Sequence, residues 1–340
     1  MRKIHDCSNS SKRPKHKGGG GPVENDVMKY LKNYAKNYGY EFVSEAANAD
    51  VIITNDIFTE EALHCRYGLG SKKIPLVKRM CAPYWQKEFQ DRNEILNRAA
   101  READYIIFIT EYSAKQYREL NKYDVPLKSE TVVLHWVNPD IFKDTGAQKR
   151  EIFTYAACAT DWSRPEKRFY EHALAAQMFP RENFLFIGKI SDDRLALMSK
   201  NCISVGYIDE PTKIAKVLNS CHAFLNLTYR DAATKTVPQA ISCGLPVIYA
   251  NSGGVSELVR SFGIPIKDSP LSDSEAKLYG TEDKPRKLDP KDVYNTLASF
   301  GLTSAGIKMR LQYLNTRKLF NNMLTGYYSV INRACVEGVY

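Results

Sequence analysis

No stretch of this 340-residue sequence holds about eighteen apolar residues in a row, so no segment reads as a membrane-crossing helix. The basic start "MRKIHDCSNSSKRPKHKGGGG" lacks the apolar middle of a secretory signal. Cysteine pairs at CxxC spacing are missing: Cys7, Cys65, Cys81, Cys158, Cys202, Cys221, Cys243 and Cys335 lie scattered. That excludes a zinc or disulfide framework and points to reduced thiols in a cytoplasmic protein. There is no DxD, no HExxH and no His pair at ligand spacing, so the sequence offers no metal site and implies no cofactor. The phosphate loop GxxxxGK[ST], the GxGxxG fingerprint and serine-hydrolase signatures are absent too.

What is present is a globular composition, 44% hydrophobic and 26% charged, with a formal charge of +9. Such a balance supports real cores, and the chain length suits two domains. The positive charge suits an anionic partner, such as a phosphorylated substrate or the anionic face of a membrane touched peripherally. Nucleic acid is not expected, because the basic residues accompany no recognisable binding module.

Short apolar runs alternate with amphipathic stretches. "ADVIITND", "IPLVKRM", "ADYIIFIT" and "TVVLHWV" read as buried strands, while residues 27–39 and 90–103 have helical spacing. After the polar stretch 143–151 a second series follows: "IFTYAACA", "NFLFIGKI", "CISVGYI", "HAFLNLT" and "LPVIYA". The reading is α/β, with two Rossmann-like parallel-sheet domains facing a central cleft. The domains are 1–145 and 146–310, and 311–340 forms C-terminal helices that pack back on the first domain.

Three stretches could carry chemistry. Gly18, Gly19, Gly20 and Gly21 precede Pro22 and a helix, as a loop that lets a ligand approach backbone N–H groups. Arg164 and Lys167 follow a strand at a helix start, where two cations could neutralise a diphosphate. The third is "YRDAATKTVPQAISCGLPVIYANSGGVSELV", residues 229–259, a loop, a short helix stopped by Gly244 and Pro246, a strand and a glycine turn.

Together with "VLHWVNPDIF" and "FLFIGKI", this third stretch resembles the GT-B glycosyltransferases, most closely the group like glycosyltransferase family 4, also called group 1. That family's site has a carboxylate, seven intervening residues, a Glu and then a pattern like A-x-x-x-G-x-P-V. Asp231, Gln239, Ala240, Gly244, Pro246 and Val247 occupy those positions. The resemblance implies a metal-independent, retaining transfer of a sugar from a nucleoside-diphosphate sugar to a glycan, lipid or small-molecule acceptor. It assigns Asp231 as catalytic and, with the backbone of Ala232 and Ala233, as holding the sugar hydroxyls. Arg164 and Lys167 would hold the diphosphate, helped by Lys235 and Thr236, which equally suit a helix cap. Gln239 would orient the ribose, Tyr207 and Ile208 would contact the base, and Gly18 to Gly21 would face the acceptor. Glu257 reads as structural.

The sequence departs from the family's pattern in three ways. Asp231 is a methylene shorter than the usual Glu, and Gln239 is neutral where a carboxylate is usual. Met80 and Cys81 stand where many members carry a His. The departures keep a second reading open, a non-catalytic sugar-nucleotide-binding or partner subunit of the same fold.

Overall fold

A computed structural model describes residues 1–7, 20–55, 64, 66, 74–84, 90–121, 130–268 and 285–337. The chain divides into two units. One comprises Met1–Leu134, Ser272–Asp283 and Asn321–Tyr340, the other His135–Leu271 and Lys284–Phe320.

The first unit is a parallel sheet of six strands. They are β1 (Arg2–Asp6), β2 (Tyr40–Val43), β3 (Val51–Thr54), β4 (Leu76–Met80), β5 (Tyr105–Phe108) and β6 (Glu130–Val132), in the order β2-β1-β3-β4-β5-β6. The residues of β3, β4 and β5 are buried throughout, as strands covered on both faces must be. Helix α1 (Gly20–Tyr34) connects β1 to β2, and α2 (Gln90–Glu102) connects β4 to β5. A short 3₁₀ turn after α1 ends at Gly39, whose φ of 82° lets its N–H reach the carbonyls of Ala35 and Lys36.

Two expectations change here. Gly20 and Gly21 open α1 instead of forming a loop, because Pro22 in a first turn has no N–H to leave unpaired. Gly18 and Gly19 lie outside the described residues. The run "TVVLHWV" contributes a strand only to Val132; beyond the Val133 N–H bond to Phe108 it leaves the ladder.

The second unit repeats the architecture. Its strands are β7 (Thr154–Asp161), β8 (Asn183–Lys189), β9 (Cys202–Ser204), β10 (Ala223–Asn226), β11 (Val247–Ala250) and β12 (Gly263–Ile266), all parallel, ordered β12-β11-β10-β7-β8-β9. Trp162, Phe169, Phe184, Phe186, Leu225 and Ile248 belong to its core. β7 lies mid-sheet. From it the chain winds outward through β8 and β9, then returns to lay β10 on the other side of β7. That reversal opens a crevice at the carboxyl ends of β7 and β10, where open parallel sheets take ligands. Among the described residues, no helix is long and apolar enough to cross a membrane, and every cysteine is a free thiol.

Candidate functional site

The segments leaving β7 and β10 meet at the reversal. After β7 the backbone turns through Arg164 into a 3₁₀ turn, Pro165–Lys167, and enters the helix Phe169–Met178 through Arg168. Arg168 has a φ of 51°, a left-handed conformation unusual for a side chain of this size. Its surroundings hold it there. The guanidinium is buried, donates to both Asp268 oxygens at 2.7 and 3.2 Å, and bonds the carbonyls of Arg286 and Leu227. It also lies 4.7 Å from the centroid of the Tyr229 ring. This fork fixes the turn that presents the preceding residue, Lys167.

The Lys167 ammonium meets the Asp231 carboxylate, with Nζ 2.8 Å from Oδ2. Burial raises the proton affinity of Asp231, but the Lys167 charge and bonds from Lys167, Thr234 and the Ala233 N–H outweigh it. Its pKa therefore lies below the ordinary carboxylate value. Arg164 turns to Glu166, forming an ion pair. The Asp231 backbone is clamped as well: Gly254 N–H donates to its carbonyl at 2.9 Å, and Arg230 N–H donates to Ser252 at 2.8 Å. Gly253, at φ 72°, permits this clamp, since a Cβ there would come 2.3 Å from the Asp231 carbonyl oxygen.

Ala232 and Ala233 follow, half-buried, and lead into the short helix Thr236–Ser242. Lys235 occupies the position before that helix without a side-chain capping bond, so the cap role is not taken up. The Lys235 and Lys167 charges both act on the half-buried Cys158 thiol, which desolvation nonetheless pushes up to about 12. Gln239 is 2% exposed, and its Oε1 has no hydrogen-bond partner. Thr236 Oγ1, in the same helix, and Asn226 Nδ2, at the carboxyl end of β10, are likewise buried without partners. Ser242 Oγ, in that helix, is a fourth. Unsatisfied polar atoms are rare in native interiors, and four along the end of β10 and this helix mark a place suited to a polar ligand. Tyr207 and Ile208 lie in the loop after β9. Tyr207 is exposed, with the Lys189 ammonium 5.6 Å from its ring centroid. Glu257 sits in the helix Val255–Val259.

Sequence reasoning missed Asn226, inside a run read as a strand, and Arg168, which it did not single out. The signal for Asn226 was a lone amide inside "HAFLNLT". For Arg168 there was none, because Asp268 is a hundred residues away. Among the described residues, no group of three His, Cys, Asp or Glu side chains could hold a metal ion.

Two six-stranded parallel sheets with this winding define the GT-B class of fold, and solved structures share it. A glycosyltransferase from Rickettsia africae superimposes with a TM-score of 0.66 at 13% identity, over 98% of this chain and 99% of that one. The Anabaena protein HepE in complex with UDP and glucose gives 0.59 at 13% identity, over 89% and 100%. At such identities the likeness establishes the fold alone. No family model matches the chain. In sequence it is similar to a curated protein of Campylobacter jejuni, N,N'-diacetylbacillosaminyl-diphospho-undecaprenol alpha-1,3-N-acetylgalactosaminyltransferase. The two are 22% identical over 258 residues, 68% of this chain and 64% of the length of that relative.

Proposed function

We propose that the protein is a glycosyltransferase that takes a nucleoside-diphosphate sugar in the crevice between β7 and β10. One observation carries the reading: the Lys167–Asp231 pair at the reversal of the sheet, followed eight residues on by a buried Gln239 oxygen without a partner. Lys167 and Arg164, with Lys235 and Thr236, bind the diphosphate, whose charge grows as the glycosidic bond breaks. Asp231, with the N–H groups of Ala232 and Ala233, holds the sugar hydroxyls. Gln239 accepts a hydrogen bond from a ribose hydroxyl, and Tyr207 and Ile208 flank the base. The transfer is metal-independent and retains the anomeric configuration.

The name of the Campylobacter relative, which contains a sugar-bearing diphospho-undecaprenol, supports a lipid-linked glycan as acceptor. A basic chain that approaches an anionic membrane face from the cytoplasm fits that acceptor. To the acceptor we assign the start of α1, at Gly20 and Gly21.

Calorimetry against UDP, GDP and ADP and their sugars tests donor binding, and a transfer assay in excess EDTA tests the chemistry. A protein that binds none of them sinks the proposal. Donor binding without transfer or hydrolysis would favour the second reading, a non-catalytic sugar-nucleotide-binding subunit. That reading is motivated by the neutral Gln239 and by the engagement of Asp231 with Lys167.

A further inference from the structure

At the other end of the same sheet, where β10 and β11 begin, lies a cavity of about 260 Å³. His222 immediately precedes β10, and Gly244 stands just before β11. Lys149 reaches the cavity from the segment that leads into β7. Lys308, Leu311 and Gln312 come from the last turns of the helix Pro290–Gln312. None of these residues belongs to the donor crevice, which opens at the carboxyl ends of the strands.

The donors in this cavity can be counted. His222 Nδ1 accepts the Thr154 N–H at 3.1 Å, so in the neutral ring the proton sits on Nε2 and makes that atom a donor. The ring is held neutral: burial, then the charges of Lys149 and Lys308, push its pKa below the ordinary histidine value. Lys149 gives one N–H to the Asn219 carbonyl at 2.9 Å and keeps two. Lys308 is exposed and adds a second ammonium. The one acid on the wall, Asp144, receives the Gly146 N–H on Oδ1 at 2.9 Å, and its Oδ2 fills the space a Gly244 Cβ would take, 2.5 Å away. The wall thus combines two ammonium groups, an imidazole N–H, the Gln312 amide and a single carboxylate acceptor.

We propose that this cavity is a second ligand site, for a phosphate monoester that carries a hydroxyl. Its phosphate would take the lysine and imidazole donors, and the hydroxyl would donate to Asp144. The volume lies just under the range of roughly 300–1,000 Å³ typical of drug-sized ligands, which suits an ester of a few carbons. The site stands independently of the proposed transfer reaction.

Titration calorimetry of the full chain with inorganic phosphate and with glycerol 3-phosphate tests it. Sedimentation with phosphatidic acid vesicles, against phosphatidylcholine vesicles, separates a lipid headgroup from a free ester. Lys308→Ala and Gln312→Ala alter exposed side chains and leave the fold intact. Lys308→Ala should weaken phosphate binding about tenfold. By NMR, bound phosphate should move the His222 titration to higher pH, because an anion favours the charged ring. Selective loss of either ester or vesicle binding in Lys308→Ala supports the site and names the source of its ligand. Undiminished binding in the variant, no binding in the parent, or a His222 titration that phosphate does not move would overturn it.

Discussion

Gln239 is the residue at which stability and function should separate. Its Oε1 is buried without a partner, so the unliganded protein bears the cost of a dehydrated acceptor. Replacing it with Leu removes that cost. Gln239→Leu should therefore melt at or above the parent temperature while losing about 1–3 kcal/mol of donor affinity, as the ribose hydroxyl is left unpaired. A fall in both together would make Gln239 a packing residue only. Lys167 makes the complementary case. Lys167→Ala should weaken donor binding tenfold or more, because a charge-assisted contact to phosphate is lost. It also removes the charge that keeps the Asp231 pKa low. A depressed carboxyl pKa contributes stability that is complete above the unfolded value, about 3.9, and is lost as pH falls through the lower folded value. Without Lys167 the burial of Asp231 is less opposed. Urea unfolding of the variant should thus show a deficit of about 1–3 kcal/mol at pH 7 that shrinks as pH falls through about 4. A deficit independent of pH would mean the pair does not hold Asp231 ionised.

At the scale of elements, the short helix Thr236–Ser242 shows why the sequence around it is so tightly punctuated. Gly244, at φ 77°, donates to the Ile241 carbonyl at 3.0 Å, and Leu245 donates to Ala240 at 3.0 Å. These two bonds form a Schellman motif, and Pro246 then prevents the helix from resuming. The helix ends within two turns, so β11 can rejoin the sheet beside β10 and leave the helix start near Asp231. Gly244→Ala meets two penalties, a left-handed backbone and a Cβ pressed against Asp144. It should cost more than about 1 kcal/mol in urea unfolding. A neutral substitution would mean that the turn adapts. This stop was legible in the sequence because glycine and proline act locally. The ladder's departure at Val133 was not, since "TVVLHWV" is apolar whether or not a neighbouring strand is there to pair with it.

At the scale of the whole molecule, the last helix, Thr316–Glu337, completes the first unit. Tyr328 stacks on Tyr38 at 4.3 Å and on Tyr40 at 5.3 Å, and it donates to the Leu31 carbonyl. The Tyr327 hydroxyl accepts from buried Arg79 at 2.9 Å. Met323, Leu324 and Ile331 are buried as well. At about 1.5–3 kcal/mol for each of these five buried side chains, their loss is comparable to a typical domain's margin of about 5–15 kcal/mol. A chain ending at Phe320 should therefore lose hydrogen-exchange protection in β1 to β6 while β7 to β12 remain protected. Intact protection throughout would show that the first unit stands without its last helix.

What the sequence determined by itself is whatever depends on neighbours along the chain. The α/β alternation, the buried Val- and Ile-rich strands and the Gly244 stop follow from spacing and local backbone preference, and the candidate role of residues 231–239 from a family resemblance carried by the same local run. Tertiary structure decided the rest. It set Asp231 against Lys167, locked Arg168 onto Asp268, orphaned the Gln239 oxygen and gathered His222, Lys149 and Lys308 around one cavity. Each of these joins residues that are far apart in sequence or sets the burial of a polar atom. Coulomb energy and desolvation depend on distance and solvent exposure, and only the folded chain fixes those.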